Sequence, residues 1–316
     1  MPPIEPLPRS LTPLAGESLH GLILRLSHRL DQAPGHILWR TGLTSDTRST
    51  SLAPKRLLLM LDASEQQRFA AATRLDPETV DQLTLRRYFA THPSLAKAMA
   101  RPGQSPRQRF IPPTWLLFAN PRHCPECLAG DGSEIQRRHG GAWKLQWHLP
   151  IVFACLEHTV FLQHRCPGCR QRGDSLDRRI TTRLIASPGA SGLHPAQCRR
   201  KTTEAHHASL CPHRLDSFDP PRVELPPELE RLQLELLALL EDTADPRRSL
   251  GRLSDLRHLS AIICATWPHS RRGDLPPAVT RTLSTDLRRP AQPGSDSRTD
   301  QHRWDSAPPS ALVGLR

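Results

Sequence analysis

Apolar residues first recur at helical spacing near the start of the chain. Leu19, Leu22, Ile23, Leu26 and Leu30 give one apolar face to a helix that Gly16-Glu17-Ser18 opens. Ser18 is placed to accept from a free N–H of the first turn. Arg25, His28 and Arg29 fall largely off that face. Ala33-Pro34-Gly35 breaks the helix, and a second short one from about His36 to Thr41 ends at Gly42. Two helices joined by a tight turn suit a helix-turn-helix. Residues 44–54 are polar and read as a loop. Leu57-Leu58-Leu59-Met60-Leu61 is dense enough to be core. Ser64 and Gln67 have capping-box spacing before a helix that carries Phe69, Ala72 and Thr73. Asp76-Pro77 caps the next helix. That helix carries Val80, Leu83 and Leu85 and closes on Arg86, Arg87 and Tyr88, whose charge complements a helix C-terminus.

The pattern then changes. Residues 92–114 are basic and broken by proline, as in a linker, and Trp115-Leu116-Leu117-Phe118 forms an apolar anchor. From Trp143 to Phe153 the partial alternation and the aromatic and β-branched content predict a strand leading into Cys155. Residues 186–195 read as a Pro/Gly/Ser-rich insertion. Helical spacing returns at Leu229, Leu232, Leu236 and Leu240, and again at Leu253, Leu256, Leu259 and Ile263, where Cys264 reads as a buried thiol. From about Pro268 the composition cannot build a core, which predicts disorder. The expected fold is α+β, mostly α. It comprises a helical, helix-turn-helix-type domain over 1–91 and a linker with its anchor over 92–122. A tandem zinc-finger, zinc-ribbon-like region with short strands covers 123–217, helices cover 218–267, and a disordered tail covers 268–316.

Cysteine spacing adds the chemistry. Cys124-Pro125-Glu126-Cys127, Cys155-Leu156-Glu157-His158 and Cys166-Pro167-Gly168-Cys169 are followed by Cys198 and Cys211. A two-residue gap lets both donors of a knuckle face one tetrahedral ion, and Zn²⁺ takes four N/S ligands. Eight donors make two closed, structural sites. Paired in order, Cys124, Cys127, Cys155 and His158 form the first, and Cys166, Cys169, Cys198 and Cys211 the second. A cross-braced pairing uses the same residues. His206, His207 and His213 lie close enough to replace a donor in the widely split last pair. Trp143 and Trp147 are expected to pack around the zinc, with base stacking as the competing role.

Charge points to the partner. The 316 residues carry a formal net charge of +12, with a pI near 10.2, which favours a polyanion such as nucleic acid. Arg25, Arg29 and Arg40 in the first helical pair, and Arg86 and Arg87 after the second, are the candidate DNA contacts. No apolar run approaches a membrane span, and no charged segment followed by an apolar one opens the chain. A cytosolic location is expected, where thiols favour metal over disulfide. With 32 prolines and 4% aromatic residues, the chain reads as small units that structural metal would help hold together. Enzyme classes are poorly served. No His-x-Glu precedes the knuckles, as a deaminase needs. There is no His-Glu-x-x-His helix, no phosphate loop and no acidic set of the kind a transposase uses with two metal ions.

The order of these motifs resembles the TniQ family of transposition proteins, which includes the TnsD proteins. The resemblance rests on Gly16-Glu17-Ser18-Leu19, Leu24-Arg25-Leu26, Arg122-His123-Cys124-Pro125-Glu126-Cys127-Leu128, Trp143-Lys144-Leu145-Gln146-Trp147, Cys155-Leu156-Glu157-His158 and Arg165-Cys166-Pro167-Gly168-Cys169. It covers roughly residues 7–215. It implies a non-catalytic accessory protein with helix-turn-helix and zinc-finger units. Such a protein connects target DNA, or an RNA-guided complex, to an AAA+ ATPase that recruits the transposase. Other transposition proteins or further copies of the chain are additional partners. The alternative from the residues alone is a stand-alone, zinc-containing, DNA-binding regulator.

Overall fold

A computed structural model describes residues 5–44, 54–99, 115–117, 121–163, 166, 168, 191–199, 210–217 and 224–266. In chain order the helices are α1 (Leu19–Leu30), α2 (Pro34–Arg40), α3 (Pro54–Leu59), α4 (Ala63–Thr73), α5 (Pro77–Gln82), α6 (Pro93–Met99), α7 (Pro125–Ala129), α8 (Glu134–His139), α9 (Pro227–Ala238) and α10 (Pro246–Thr266). Short 3₁₀ turns occupy Leu85–Tyr88 and Leu145–His148. Among the described residues the sheet is a two-stranded hairpin, β1 (Ala154–Cys155) with β2 (Val160–Phe161). The fold is therefore α+β and mostly helical. The chain forms two interleaved units. One comprises residues 1–87, 118–148 and 157–224, and the other 88–117, 149–156 and 225–316.

In the first unit, α1 starts where its sequence expects, with the Ser18 hydroxyl accepting from Gly21 N at 3.1 Å. It ends on Asp31 in the left-handed region, φ +50. Leu19, Leu22, Ile23 and Leu26 are fully buried and pack with Leu7, Ile37, Leu57, Phe69, Val80 and Leu83. Each such side chain contributes about 1.5–3 kcal/mol of transfer free energy. Main-chain bonds join the distant pieces, Leu7 N to Ala72 O and Leu19 N to Leu83 O, both at 2.8 Å. Pro34 opens α2 instead of standing outside it, because the first helical position needs no N–H.

Four local expectations are corrected. The capping box of α4 is Asp62 with Glu65, not Ser64 with Gln67. Asp62 accepts from Glu65 N at 2.8 Å, and Glu65 accepts from Asp62 N at 3.0 Å. An aspartate caps as well as a serine, and it lies nearer the core leucines. Next, α5 ends at Gln82, so Arg86 and Arg87 sit on the following 3₁₀ turn and do not complement its dipole. Residues 93–99 are helical, where a linker was expected. Finally, Trp143–Phe153 is not a strand. Trp143, Leu145, Trp147, Leu149, Ile151, Val152 and Phe153 are all buried, and Pro150 sits among them. Burial alternates over Trp143–Trp147, where Lys144 and Gln146 are half-buried, yet Leu145–His148 is a 3₁₀ turn, and from Trp147 to Cys155 burial is continuous and leaves no period-two face.

In the second unit, α9 buries Leu229, Gln233, Leu236 and the following Leu240. In α10 the buried stripe is Ser249, Leu253 and Ser260, while Leu256 is half-buried and Leu259 is 49% exposed. Leucines three apart drift about 60° per step around a helix, so no single face holds them all. The Cys264 side chain and the segment from Pro268 lie outside the described residues.

Candidate metal centres

The first centre begins with a proline-started turn. Pro125 takes the first position of α7, which fixes the chain between Cys124 and Cys127. The hairpin β1–β2 supplies Cys155 at the end of its first strand and His158 in its turn. One donor atom from each of Cys124, Cys127, Cys155 and His158 lies within 4.8 Å of the others. His158 Nδ1 is 3.6 Å from Cys124 Sγ and 3.3 Å from Cys127 Sγ. Two donors on one tetrahedral zinc at bonds of 2.3 and 2.0–2.1 Å stand about 3.6 Å apart. The three cysteines are buried and none is in a disulfide.

Neighbouring groups suit this arrangement. Glu126 Oε2 stands 3.5 Å from His158 Nε2, which favours a proton on Nε2 and leaves the Nδ1 lone pair facing the sulfurs. Glu157 Oε2 lies 3.6 Å from Cys127 Sγ and is paired with Lys144 Nζ at 2.6 Å, so a cation offsets the carboxylate. Gly141 permits a close approach. Its N–H donates to Leu128 O at 2.9 Å, and a Cβ there would fall 1.9 Å from Cys127 O.

The second centre gathers Cys166, Cys198 and Cys211, all buried, with their sulfurs within 4.8 Å of one another. Cys166 Sγ and Cys211 Sγ are 3.9 Å apart, close to the roughly 3.8 Å of two thiolates on one zinc. The wide interval between Cys198 and Cys211 is closed by main chain. Cys198 N donates to His213 O at 2.9 Å, Leu215 N donates to Ala196 O at 2.8 Å, and Gln197 pairs antiparallel with Arg214. Cys169, His206 and His207 lie outside the described residues. His213 stands against Gly168, where a Cβ would come within 2.8 Å of its own Cβ, but it is not among the grouped donors. Each group could hold a metal ion, the first with four donors and the second with three among the described residues.

The family model for TniQ matches residues 8–162. The matched stretch contains all four donors of the first centre and ends before Cys166. Through it the chain belongs to the TniQ family. No curated protein and no solved structure gives a significant match. TniQ proteins are associated with transposition, and that association applies to this chain.

The TniQ segment also places the candidate DNA contacts, and it corrects one of them. Arg25 is 1% exposed and ion-paired with Glu17 at 2.9 Å, so it is not at the surface to meet phosphate. Its position seemed to lie off the apolar face of α1. The N-terminal lead covers it, with Thr12 O 3.4 Å from its guanidinium. Burial pushes the Glu17 carboxyl up to about 7, against the pull of Arg25 and a bond from Leu14 N. Arg29, Arg40 and Arg87 are half-buried. Arg86 is exposed, with Asp81 at 3.6 Å. Trp143 and Trp147 are buried edge to face at 6.1 Å, and Trp143 Nε1 donates to Pro195 O at 3.0 Å. That excludes base stacking in this arrangement.

Three histidines meet within the same unit, a grouping that their scattered positions did not signal. His28 Nδ1 of α1 is 3.1 Å from His139 Nδ1 at the end of α8, and the His28 and His194 rings are 5.2 Å apart. Burial, with Arg214 and Arg199 nearby, lowers His28. Burial and the cations around them push His139 and His194 down to about 4. No described helix is long and apolar enough to cross a membrane.

Proposed function

We propose that this TniQ protein is a non-catalytic adaptor of a transposition system. It carries two structural zinc ions and links target DNA, or a DNA-bound complex, to an AAA+ transposition ATPase. The observation that carries this reading is the match over 8–162, which contains the complete donor set of the first centre. A closed Cys₃His set supports a structural role, because catalytic zinc keeps a position for water. The first ion is held by Cys124, Cys127, Cys155 and His158. The second is held by Cys166, Cys198 and Cys211, with Cys169 as the fourth ligand. Net charge of +12 supports a nucleic-acid partner. Arg29, Arg40, Arg86 and Arg87 are the proposed contacts, and α1 with α2 is the proposed helix-turn-helix. Cysteines grouped as metal donors and not joined in disulfides support a cytosolic location.

The test is a reconstituted transposition reaction in which the purified chain is added to transposase, ATPase and target DNA. Directed insertion should require the chain. The chain alone should neither cut nor join DNA, with Mg²⁺ or without it. If insertion is unchanged when the chain is omitted, while the chain still binds duplex DNA, the stand-alone regulator takes the adaptor's place.

A further inference from the structure

Helix α9 lies outside the segment matched to TniQ, yet one of its polar side chains is tied to the backbone that leads into Cys155. Gln233 is fully buried. Its Oε1 accepts from Phe153 N at 2.8 Å and from Ala154 N at 3.0 Å, and its Nε2 donates to Ile151 O at 3.3 Å. The side-chain amide thus does what a neighbouring strand's peptide groups would do, satisfying two donors and one acceptor on a buried segment. No strand among the described residues does so there, since β1 pairs only with β2. Leu229, Leu236 and Leu240 share the buried side of the helix with Gln233, so an apolar residue at 233 would be the default choice.

We propose that Gln233 is a positioning residue of the first metal centre. It fixes the main chain over Ile151–Ala154 so that the next residue, Cys155, presents its sulfur to the other three donors. The inference rests on the metal reading of that centre. A merely apolar contact would hold α9 against this segment without specifying its backbone angles. Three hydrogen bonds to consecutive peptide units do specify them. The C-terminal helices are then part of what loads and retains metal in the TniQ segment, not an independent appendage.

The experiment uses the full-length, zinc-loaded protein and Gln233→Met, which keeps the length of the side chain and removes its hydrogen bonds. Each cysteine is followed by N-ethylmaleimide labelling and mass spectrometry. Cys155 and Cys127 should label about tenfold faster or more in the variant, as expected for two buried amides left unpaired. Cys198 and Cys211 should keep the wild-type rate. Gln233→Glu retains the acceptor oxygen but loses the donor to Ile151 O and buries a carboxyl, so it should recover the protection only in part. Unchanged Cys155 labelling in a folded methionine variant would overturn the proposal, and so would an equal rise at both centres. If that variant does not fold, amide exchange on the wild type decides. Peptides covering Phe153–Ala154 and α9 should lose protection together when a chelator strips zinc, and an unchanged α9 would overturn the idea. Elemental analysis of the wild type stands apart: no zinc removes the metal reading and this inference together, whereas zinc with unresponsive labelling removes only Gln233.

Discussion

At the residue scale, the Glu17–Arg25 pair shows how a motif read as a helix start does more than begin a helix. Arg25→Met leaves the Glu17 carboxylate buried without its partner, which costs about 3–5 kcal/mol. The loss should shrink as pH falls, because a buried carboxyl raised to about 7 is largely neutral at pH 5. Chemical denaturation of the variant at pH 5 and pH 8 checks this, and equal losses would contradict it. In the wild type, Glu17 contributes stability that is present below about 4.5 and lost as pH rises through 7. The histidines act in the opposite sense. His139 and His194, pushed down to about 4, and His92, pushed down to about 3 by burial and Arg257, contribute stability above 6.5 that is lost as pH falls through those values. The groups facing the His28–His139–His194 cluster are Arg25, Arg29, Arg138, Arg199 and Arg214, with Asp31 and Asp216 opposing them. Acid should therefore unfold the chain between about pH 6.5 and 4, and His139→Gln should move that midpoint down.

At the element scale, the capping of α4 separates two readings of the same stretch. Asp62→Ala removes the side-chain half of the box, leaves the bond from the residue-62 N–H to Glu65, and should cost about 1 kcal/mol, measured by urea denaturation. Ser64→Ala should cost clearly less, since Ser64 donates to Asp62 Oδ1 and caps no backbone N–H in the first turn. Helices α1, α5 and α9 were legible because apolar periodicity and a capping or proline signal coincide at each. The individual knuckles were legible from spacing, since two-residue gaps fix local geometry, but which knuckles lie together is decided by tertiary contacts, and spacing left sequential and cross-braced pairings open. Elements decided by tertiary contacts were not. Trp143–Phe153 carries strand-forming residues, but a 3₁₀ turn occupies its alternating part and the remainder is buried without alternation. Arg25 sits at a position that periodicity leaves outside, and the lead that covers it comes from residues before the helix. Nothing in the sequence around Gln233 marks it, because its partners lie about 80 residues away.

At the scale of the whole molecule, metal and charge dominate what can be measured. Purified protein should carry two zinc ions, and Cys124→Ser should lose one and fall in stability, since structural zinc supplies on the order of 10 kcal/mol in small modules. Inductively coupled plasma analysis with a thermal melt reads both. Duplex binding should weaken with salt at a log–log slope of about −0.9 per phosphate neutralised. Arg86→Ala with Arg87→Ala should flatten that slope by up to about two units and leave the zinc content intact. Arg25→Lys should leave it unchanged. An unaltered slope in the double variant would move the DNA contact elsewhere.

The clasp on the first centre also imposes an order in time. Phe153 precedes Gln233 by 80 residues. At roughly 5–20 residues per second, its amide leaves the ribosome about 4–16 s before the side chain that will bind it. All four donors of the first centre are synthesised before Gln233, so a nascent chain meets zinc while Cys155 is still loosely held. Metal captured then would be exchangeable, and synthesis of α9 would close the trap. Slow translation of residues 160–233 in a zinc-poor cell should raise the fraction of chains that finish with an empty first centre, although the finished sequence is the same.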